Sequence, residues 1–432
     1  MAAIQYQVDP VAPIRPAVRD LHACSLDEAR SHVVASALSP STIGTVGLEL
    51  EMHLVDLAAP SRRVSWRRLT ELVASLPAMP AGSSVTLEPG GQVELSTPPR
   101  PDVTTAVAAL EADMHALAAA FRPHRLGLIG LGADPARPVQ RLNPKSRYAG
   151  MERHFIATGS GDAGRAMMCS TAALQLNLEA GPVVDWPSRV GRMHRLGPVL
   201  VAISACSPWL AGQSSGWRSM RQQVWGEIDQ ARCGQLLDGA HPDGEWASYA
   251  LAAPVMLVRD PDSGDATAVT DRVSFAAWVT GAADLGRAAT LDDLDYHLST
   301  LFPPVRPKGF LEVRCLDAVP HRWMPGLAGL ATTLLDDPVA ADRAAEICEP
   351  VVDAWTSAAR DGLSDPTLAR AARACVEIAV DRAPVELKAA MSNYAELVLA
   401  GRTPGDEIRD RVEADGPLAV LESEALEALA DA

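Results

Sequence analysis

The sequence predicts an α+β protein: a mainly antiparallel sheet, helices packed outside it, and a helical C-terminal region. Three observations carry this. Between Val46 and Arg314, short stretches of period-two alternation interleave with longer stretches of helical periodicity. Several of the short stretches are aliphatic on one face and polar on the other, as antiparallel strands are. From about Leu327 onward the pattern is almost wholly helical and rich in alanine. A chain of 432 residues suits one large domain or two ordinary ones. The expected division is an N-terminal leader with one helix over 1–45, a main body over 46–326, and a helical region over 327–432 packed on the same body.

The leader begins MAAIQYQVDP, with no basic segment followed by an apolar run, so no secretion signal is expected. Its one helix falls around Leu26–Ala37. The first strand is VGLELEMHLV (46–55). Leu48, Leu50, Met52 and Leu54 share one face, and Glu49, Glu51 and His53 share the other. Next comes LEPGGQVELS (87–96), which reads as a hairpin with Glu88 and Glu94 flanking its turn. The two carboxylates share a face if the register centres on Gly91 and sets Glu88 opposite Glu94. A two-residue Gly90-Gly91 turn would put them on opposite faces. The other acid-bearing strands favour the Gly91-centred register.

Residues 102–121 read as a helix capped by Asp102. Residues 183–205 hold another helix, and Ser219–Leu237 a third. LQLNLE (174–179) repeats the strand design, with Gln175, Asn177 and Glu179 against three leucines. In FLEVRCL (310–316), Glu312 and Arg314 oppose Leu311, Val313 and Cys315. Arg259–Asp265 reads as a surface turn between strands.

A solvated face explains any one of these strands taken alone. Four together favour a site. Their polar faces concentrate Glu, Gln, Asn and Arg and hold no lysine, although a solvated face usually mixes in Lys, Thr and Ser. Glu49 and Glu51 stand about 7 Å apart on one face, at ~3.4 Å per residue. Acids from neighbouring strands add repulsion that a divalent cation offsets, and Mg²⁺ is held by a few carboxylates together with substrate phosphates.

Other chemistries lack their motifs. No Gly-Lys-Ser/Thr marks a P-loop, and HExxH, an EF-hand loop and CxxC are all absent. Gly159-Ser160 and Gly212–Ser214 lack the GxSxG context of a nucleophile elbow. His53 and His297 have no ligand spacing and read as structural. The balance of 38 basic against 54 acidic residues, a net charge of −16, argues against a nucleic-acid or anionic-membrane binder. The most apolar stretch, 197–212, is short for a membrane span. Seven dispersed cysteines fit reduced thiols and a cytoplasmic location.

Cations are the last ingredient. Arg221, Trp225, Asp229 and Arg232 recur at helical spacing. They make either an amphipathic helix with internal ion pairs or a pocket wall in which a guanidinium takes a carboxylate. Arg306, Lys308 and Arg314 lie close to Glu312 in sequence. Lys308, one of only three lysines, is either a surface lysine or a phosphate contact.

Six segments in order resemble the plant-type glutamate–cysteine ligase family, relatives of the glutamine synthetases. They are GLELE (47–51), EPGGQVELS (88–96), NPKSRYAGM (143–151), MMCSTAALQLNLE (167–179), SMRQQVWGEIDQARCG (219–234) and HLSTLFPPVRPKGFLEVR (297–314). Actinobacterial members that supply γ-glutamylcysteine for ergothioneine synthesis are the most similar in these segments. The resemblance implies a curved sheet forming a funnel-like site, with the catalytic domain over 46–326. It implies ATP as co-substrate, two or three Mg²⁺ ions, L-glutamate and L-cysteine as substrates, and no obligate protein partner. Matched position by position, Glu49, Glu51, Glu88, Glu94 and Glu312 fall on the magnesium-binding acids. Arg147, Met168, Thr171, Arg221 and Trp225 fall on the glutamate pocket. Gln175, Asn177, Lys308 and Arg314 fall near nucleotide and phosphate, with Lys308 and Arg314 in the catalytic role.

Overall fold

The computed structural model describes residues 22–235 and 240–430, so residues 1–21 of the leader expected over 1–45 and the end of the helix expected over Ser219–Leu237 lie outside the described residues. Seven strands form one open sheet: β1 (Val46–Asp56), β2 (Ser84–Leu87), β3 (Val93–Ser96), β4 (Leu126–Ile129), β5 (Ala173–Leu178), β6 (Val305–Pro307) and β7 (Leu311–Asp317). Their order is β6-β7-β5-β1-β3-β2, with β4 pairing the far end of β1, and every pair is antiparallel.

The alternation in β1 does what the pattern predicts. Leu48, Leu50, Met52 and Leu54 are all buried. Helices Val103–Phe121 and Pro417–Ala430 pack against β1, while Met324–Asp336 and Trp186–Ser204 pack against β5 and β7. Each such side chain withdrawn from water contributes roughly 1.5–3 kcal/mol. The helix over Val103–Phe121 starts where its cap says it should, with Asp102 Oδ1 accepting from Thr105 N at 2.7 Å. The helix Leu26–Ala37 is opened by a capping box between Ser25 and Glu28.

Three local expectations change. The helix expected from Ser219 is two short ones, Met220–Gly226 and Gln230–Cys233. Asp229 restarts the chain as a new cap, accepting from Ala231 N at 3.1 Å. Arg232 therefore leaves the Arg221 face and is buried against the Thr300 and Pro254 carbonyls.

The hairpin register is the second. Thr86 pairs with Glu94 and Leu87 with Val93, so the turn centres on Gly90 rather than Gly91. Glu88 N donates to Gln92 O and Gly91 N to Glu88 O, both at 2.9 Å, which closes a three-residue loop. Gly91 sits in the left-handed region at φ 85°, as such loops require. A centre on Gly90 moves the pairing by two residues along the partner, an even step, so Glu88 and Glu94 still share a face.

The third concerns β1 itself. His53 keeps the parity of Glu49 and Glu51 but does not line their cavity. It pairs with Ile129 of β4, is buried, and hydrogen-bonds Leu131 O through Nε2 at 3.1 Å. Among the described residues no helix is long and apolar enough to cross a membrane.

Burial also sets an acid limit on the fold. His297 is buried, stacked on Phe275, with Nε2 donating to Ala250 O at 2.9 Å. Burial, helped by the Arg232 charge, pushes its pKa from 6.5 down to about 3. The folded pKa is depressed, so the unfolded chain takes up a proton first. Stability is full above the unfolded value and is lost as pH falls toward the folded one. Going from about pH 7 to about pH 5 costs about 2 kcal/mol at this residue. His297→Gln, which keeps a donor for Ala250 O, should show a smaller drop in melting temperature over that range than the unsubstituted protein. An equal drop would remove His297 from the account.

Candidate functional site

The polar face of the sheet is covered rather than open: Glu94, Gln175 and Glu312 are buried, and Glu49, Glu51 and Glu88 half-buried. It floors a cavity of about 470 Å³. Helices Ser146–Ala157, Gly161–Ser170, Met220–Gly226, Pro242–Ala252 and Leu291–Leu298 wall it with Arg147, Met168, Arg221, Trp225, Trp246 and Asp295, and Ser36 comes from the N-terminal helix. Of the residues singled out from the sequence, Glu49, Glu51, Glu88, Glu94, Arg147, Met168, Thr171, Gln175, Arg221, Trp225, Lys308, Glu312 and Arg314 all line this one cavity. Asn177 does not line it; its Nδ2 donates to Glu49 Oε1 at 2.8 Å and so fixes that carboxylate from the side.

Two charge systems share the floor. On the β1–β3 side, Glu51 stands directly across from Glu94. Like charges opposite one another are destabilising. Glu51 accepts from Ala173 N at 2.9 Å and Gln175 Nε2 at 3.2 Å. Glu94 accepts from Thr86 Oγ1 at 2.8 Å and Ser96 Oγ at 3.2 Å, with no cation among its bonded partners. Burial raises the Glu51 carboxyl, against the pull of Arg221 and Arg314. Burial, then the Glu51 charge, pushes Glu88 up to about 8. Burial with Glu49, Glu88 and Glu51 close by holds Glu94 well above the usual carboxylate range.

The β6–β7 side is the reverse. Glu312 accepts from Arg306 Nε at 2.6 Å, Arg314 Nη1 at 2.8 Å and Lys308 Nζ at 3.2 Å. Burial works against its ionisation, but the three cations win and hold it well below the ordinary value. Arg314 also donates to Gln175 Oε1 at 2.6 Å. Gln175 thus bridges the two systems, one end on Arg314 and the other on Glu51.

The walls carry open donors. Arg147 Nη2 donates to Ser299 O at 3.1 Å, and its guanidinium lies 4.9 Å from the Tyr296 ring centre. Arg221 Nη2 donates to the Arg314 carbonyl at 2.8 Å. Arg147 Nη1, Arg221 Nη1 and Trp225 Nε1 are buried without a hydrogen-bond partner. Buried donors left open are costly, and a carboxylate between them would satisfy them. The hairpin is seated against the end of helix Gly161–Ser170. Gln92 Nε2 donates to Thr171 O at 2.8 Å, and a Cβ on Gly90 would collide with the Cys169 carbonyl.

Among the described residues no three acidic, cysteine or imidazole side chains converge into one closed metal centre. The donor set still suits Mg²⁺, which takes one or two carboxylates and completes its shell with substrate phosphates and water.

Residues 45–425 match the glutamate-cysteine ligase family 2 (GCS2). The chain belongs to that family. It is 51% identical over 400 residues to the glutamate–cysteine ligase EgtA of Mycolicibacterium smegmatis, covering 92% of this chain and 94% of that one. It is 49% identical over 419 residues to EgtA of Mycobacterium tuberculosis, covering 96% of each. The chloroplastic glutamate–cysteine ligase of Medicago truncatula is 28% identical over 370 residues, covering 81% of this chain and 71% of that one. The fold is shared with a crystal structure of glutamate–cysteine ligase (gshA) from Francisella tularensis in complex with AMP, at a TM-score of 0.57 and 12% identity over 91% of this chain and 89% of that one.

In this family member, Arg306 is the lining residue whose part the sequence understated. It was visible as a neighbour of Glu312, but only the β6–β7 pairing opposite Glu312 makes it the carboxylate's shortest contact. Trp246 and Asp295 also line the cavity, from segments without a motif of their own, and Phe302 does so from within the 297–314 segment. Glu312→Gln should destabilise the fold by about 3–5 kcal/mol, because it leaves buried Arg306 and Arg314 without their counter-charge. Chemical denaturation measures this; a loss under about 1 kcal/mol would mean the triple pairing is not a structural interaction.

Proposed function

We propose that the protein is an ATP- and Mg²⁺-dependent glutamate–cysteine ligase that joins the γ-carboxylate of L-glutamate to the amine of L-cysteine. One observation carries this reading beyond family membership. A single cavity sets crowded, partner-poor carboxylates beside a cationic cluster, with open guanidinium donors in the walls. That is a site for a substrate that brings phosphates, a divalent cation and carboxylates together.

The chemistry follows from charge placement. The γ-phosphoryl group of ATP passes to a γ-carboxylate oxygen of glutamate, and ADP leaves. The cysteine amine then attacks the acyl carbon, the amide forms, phosphate departs with the acyl C–O electrons, and the nitrogen gives up a proton. Such transfer needs positioning and charge neutralisation more than a protein nucleophile. Glu49, Glu51, Glu88 and Glu94 are the proposed holders of Mg²⁺, which when bound supplies positive charge between carboxylates and phosphate oxygens. Glu312 belongs to the same proposed acid set, although its own oxygens are held by Arg306, Arg314 and Lys308. Lys308 and Arg314, with Gln175 and Asn177 behind them, face the transferring phosphoryl group. Arg147 and Arg221 take the glutamate carboxylate, and Trp225, Met168 and Thr171 shape the space around it. The reaction is placed in the cytoplasm, and its product is proposed to feed ergothioneine biosynthesis.

Mass spectrometry of the product formed from glutamate, cysteine and Mg²⁺–ATP tests this directly. γ-Glutamylcysteine and ADP in equal amounts are expected, with no product once the cation is chelated. A clear preference for an amine other than cysteine across a panel would replace the reading with a different carboxylate–amine ligase. Glu94→Gln should cut turnover by about 10²-fold or more. It also replaces a buried carboxyl that is costly to ionise with a neutral amide, so the melting temperature should hold or rise. Undiminished turnover would remove Glu94 from the site.

A further inference from the structure

Strict alternation along β7 sends Asp317 to the aliphatic side with Leu311, Val313 and Cys315. The structure sends it the other way. The ladder between β7 and β5 slips between Val313 and Leu316, so Leu316, not Cys315, pairs with Leu174. One extra residue inverts the facing of everything beyond it. Asp317, paired with Ala173, therefore lies on the same side of the sheet as Glu312 and Arg314.

It is wholly buried there and tightly held. Oδ2 accepts from Cys206 N at 2.9 Å and Ser207 Oγ at 2.7 Å, and Oδ1 accepts from Ser219 Oγ at 2.9 Å. Ser219 is the cap of helix Met220–Gly226, its Oγ accepting from Gln222 N at 3.2 Å. Ser207 Oγ in turn accepts from Arg221 N at 3.1 Å. Asp317 thus anchors, through two hydroxyls, the start of the short helix that presents Arg221 and Trp225 to the cavity.

The carboxylate also faces the Arg221 guanidinium itself. Oδ1 lies 3.8 Å from Arg221 Nη1, an ion-pair distance but too long for a hydrogen bond. Arg221 has its charge balanced in a buried setting while Nη1 stays without a hydrogen-bond partner. A carboxylate one ångström closer would occupy the donor; one farther away would leave a buried guanidinium uncompensated.

We propose that Asp317 is a positioning residue for Arg221: it sets the helix and balances the guanidinium while leaving Nη1 open to the carboxylate of a substrate amino acid. This rests on the reading that Arg221 binds glutamate. Asp317→Asn keeps the size and removes the charge. The KM for glutamate should rise about tenfold or more, with kcat changed less than about threefold and the KM for ATP unmoved. In Arg221→Lys the effect of Asp317→Asn should largely disappear, because both substitutions remove the same interaction. Multiplying losses, equal rises in the KM values of all substrates, or an unchanged glutamate KM would each overturn the proposal. Calorimetric binding of glutamate alone separates this from the ligase reading. Weakened binding to Asp317→Asn sustains the positioning role even where no γ-glutamylcysteine forms, and unchanged binding overturns it. Should Asp317→Asn lack a cooperative melt, Ser219→Ala takes its place, since it removes one anchor and keeps the carboxylate. A threefold or larger rise in glutamate KM, by the same order-of-magnitude reckoning, then supports the proposal, and no rise overturns it.

Discussion

Carboxylates crowded on one buried face of a sheet are the constraint on which the rest of this structure depends. Glu51 and Glu94 face each other across adjacent strands, with Glu49 and Glu88 beside them. Water would screen them on an open sheet, but helices close over this one. Burial and mutual repulsion then drive Glu51, Glu88 and Glu94 toward the protonated form. The protein's own cations relieve this only in part: Arg221 and Arg314 pull on Glu51, and Arg314 and Arg147 on Glu88, while Arg306, Arg314 and Lys308 bond Glu312. Such a face survives because the other side of the same strands is aliphatic and fully packed, so stability gained on one face offsets strain kept on the other.

The sheet's two faces also explain how much of the site was legible in the sequence. Alternation in β1, β3, β5 and β7 names which residues point to a common side, and that information survives imperfect register. The hairpin turned about Gly90 rather than Gly91, yet Glu88 and Glu94 stayed together, because only an odd shift separates residues of equal parity. Helical periodicity was less secure. Arg221, Trp225, Asp229 and Arg232 fit one helical face, but Asp229 has a stronger local use as a cap, and it breaks the run. Arg232 is then spent on tying loops together through the Thr300 and Pro254 carbonyls.

What alternation cannot announce is a bulge. Asp317 shares the parity of the aliphatic residues in LEVRCLD, and only the slipped pairing between β7 and β5 brings it round beside Arg221. Tertiary walls are hidden for a different reason. Trp246 and Asp295 reach the cavity from helices whose patterns specify only their own packing. No motif connects them until the helices have closed over the sheet.

The division of the cavity into two charge systems bears on how a reaction would run in it. On the β6–β7 side the charges are already paired and rigid, with Glu312 holding three cations in fixed places. Groups held this way need no rearrangement when negative charge develops beside them, which is the condition under which electrostatic stabilisation is largest. On the β1–β3 side the carboxylates lack cationic hydrogen-bond partners and gain most from an incoming cation. Gln175 links the two through one amide, its oxygen on Arg314 and its nitrogen on Glu51. The acids would hold a divalent cation, and Lys308 and Arg314 would neutralise phosphate charge beside it. In this arrangement the asymmetry of the floor, more than any single residue, gives the cavity its direction.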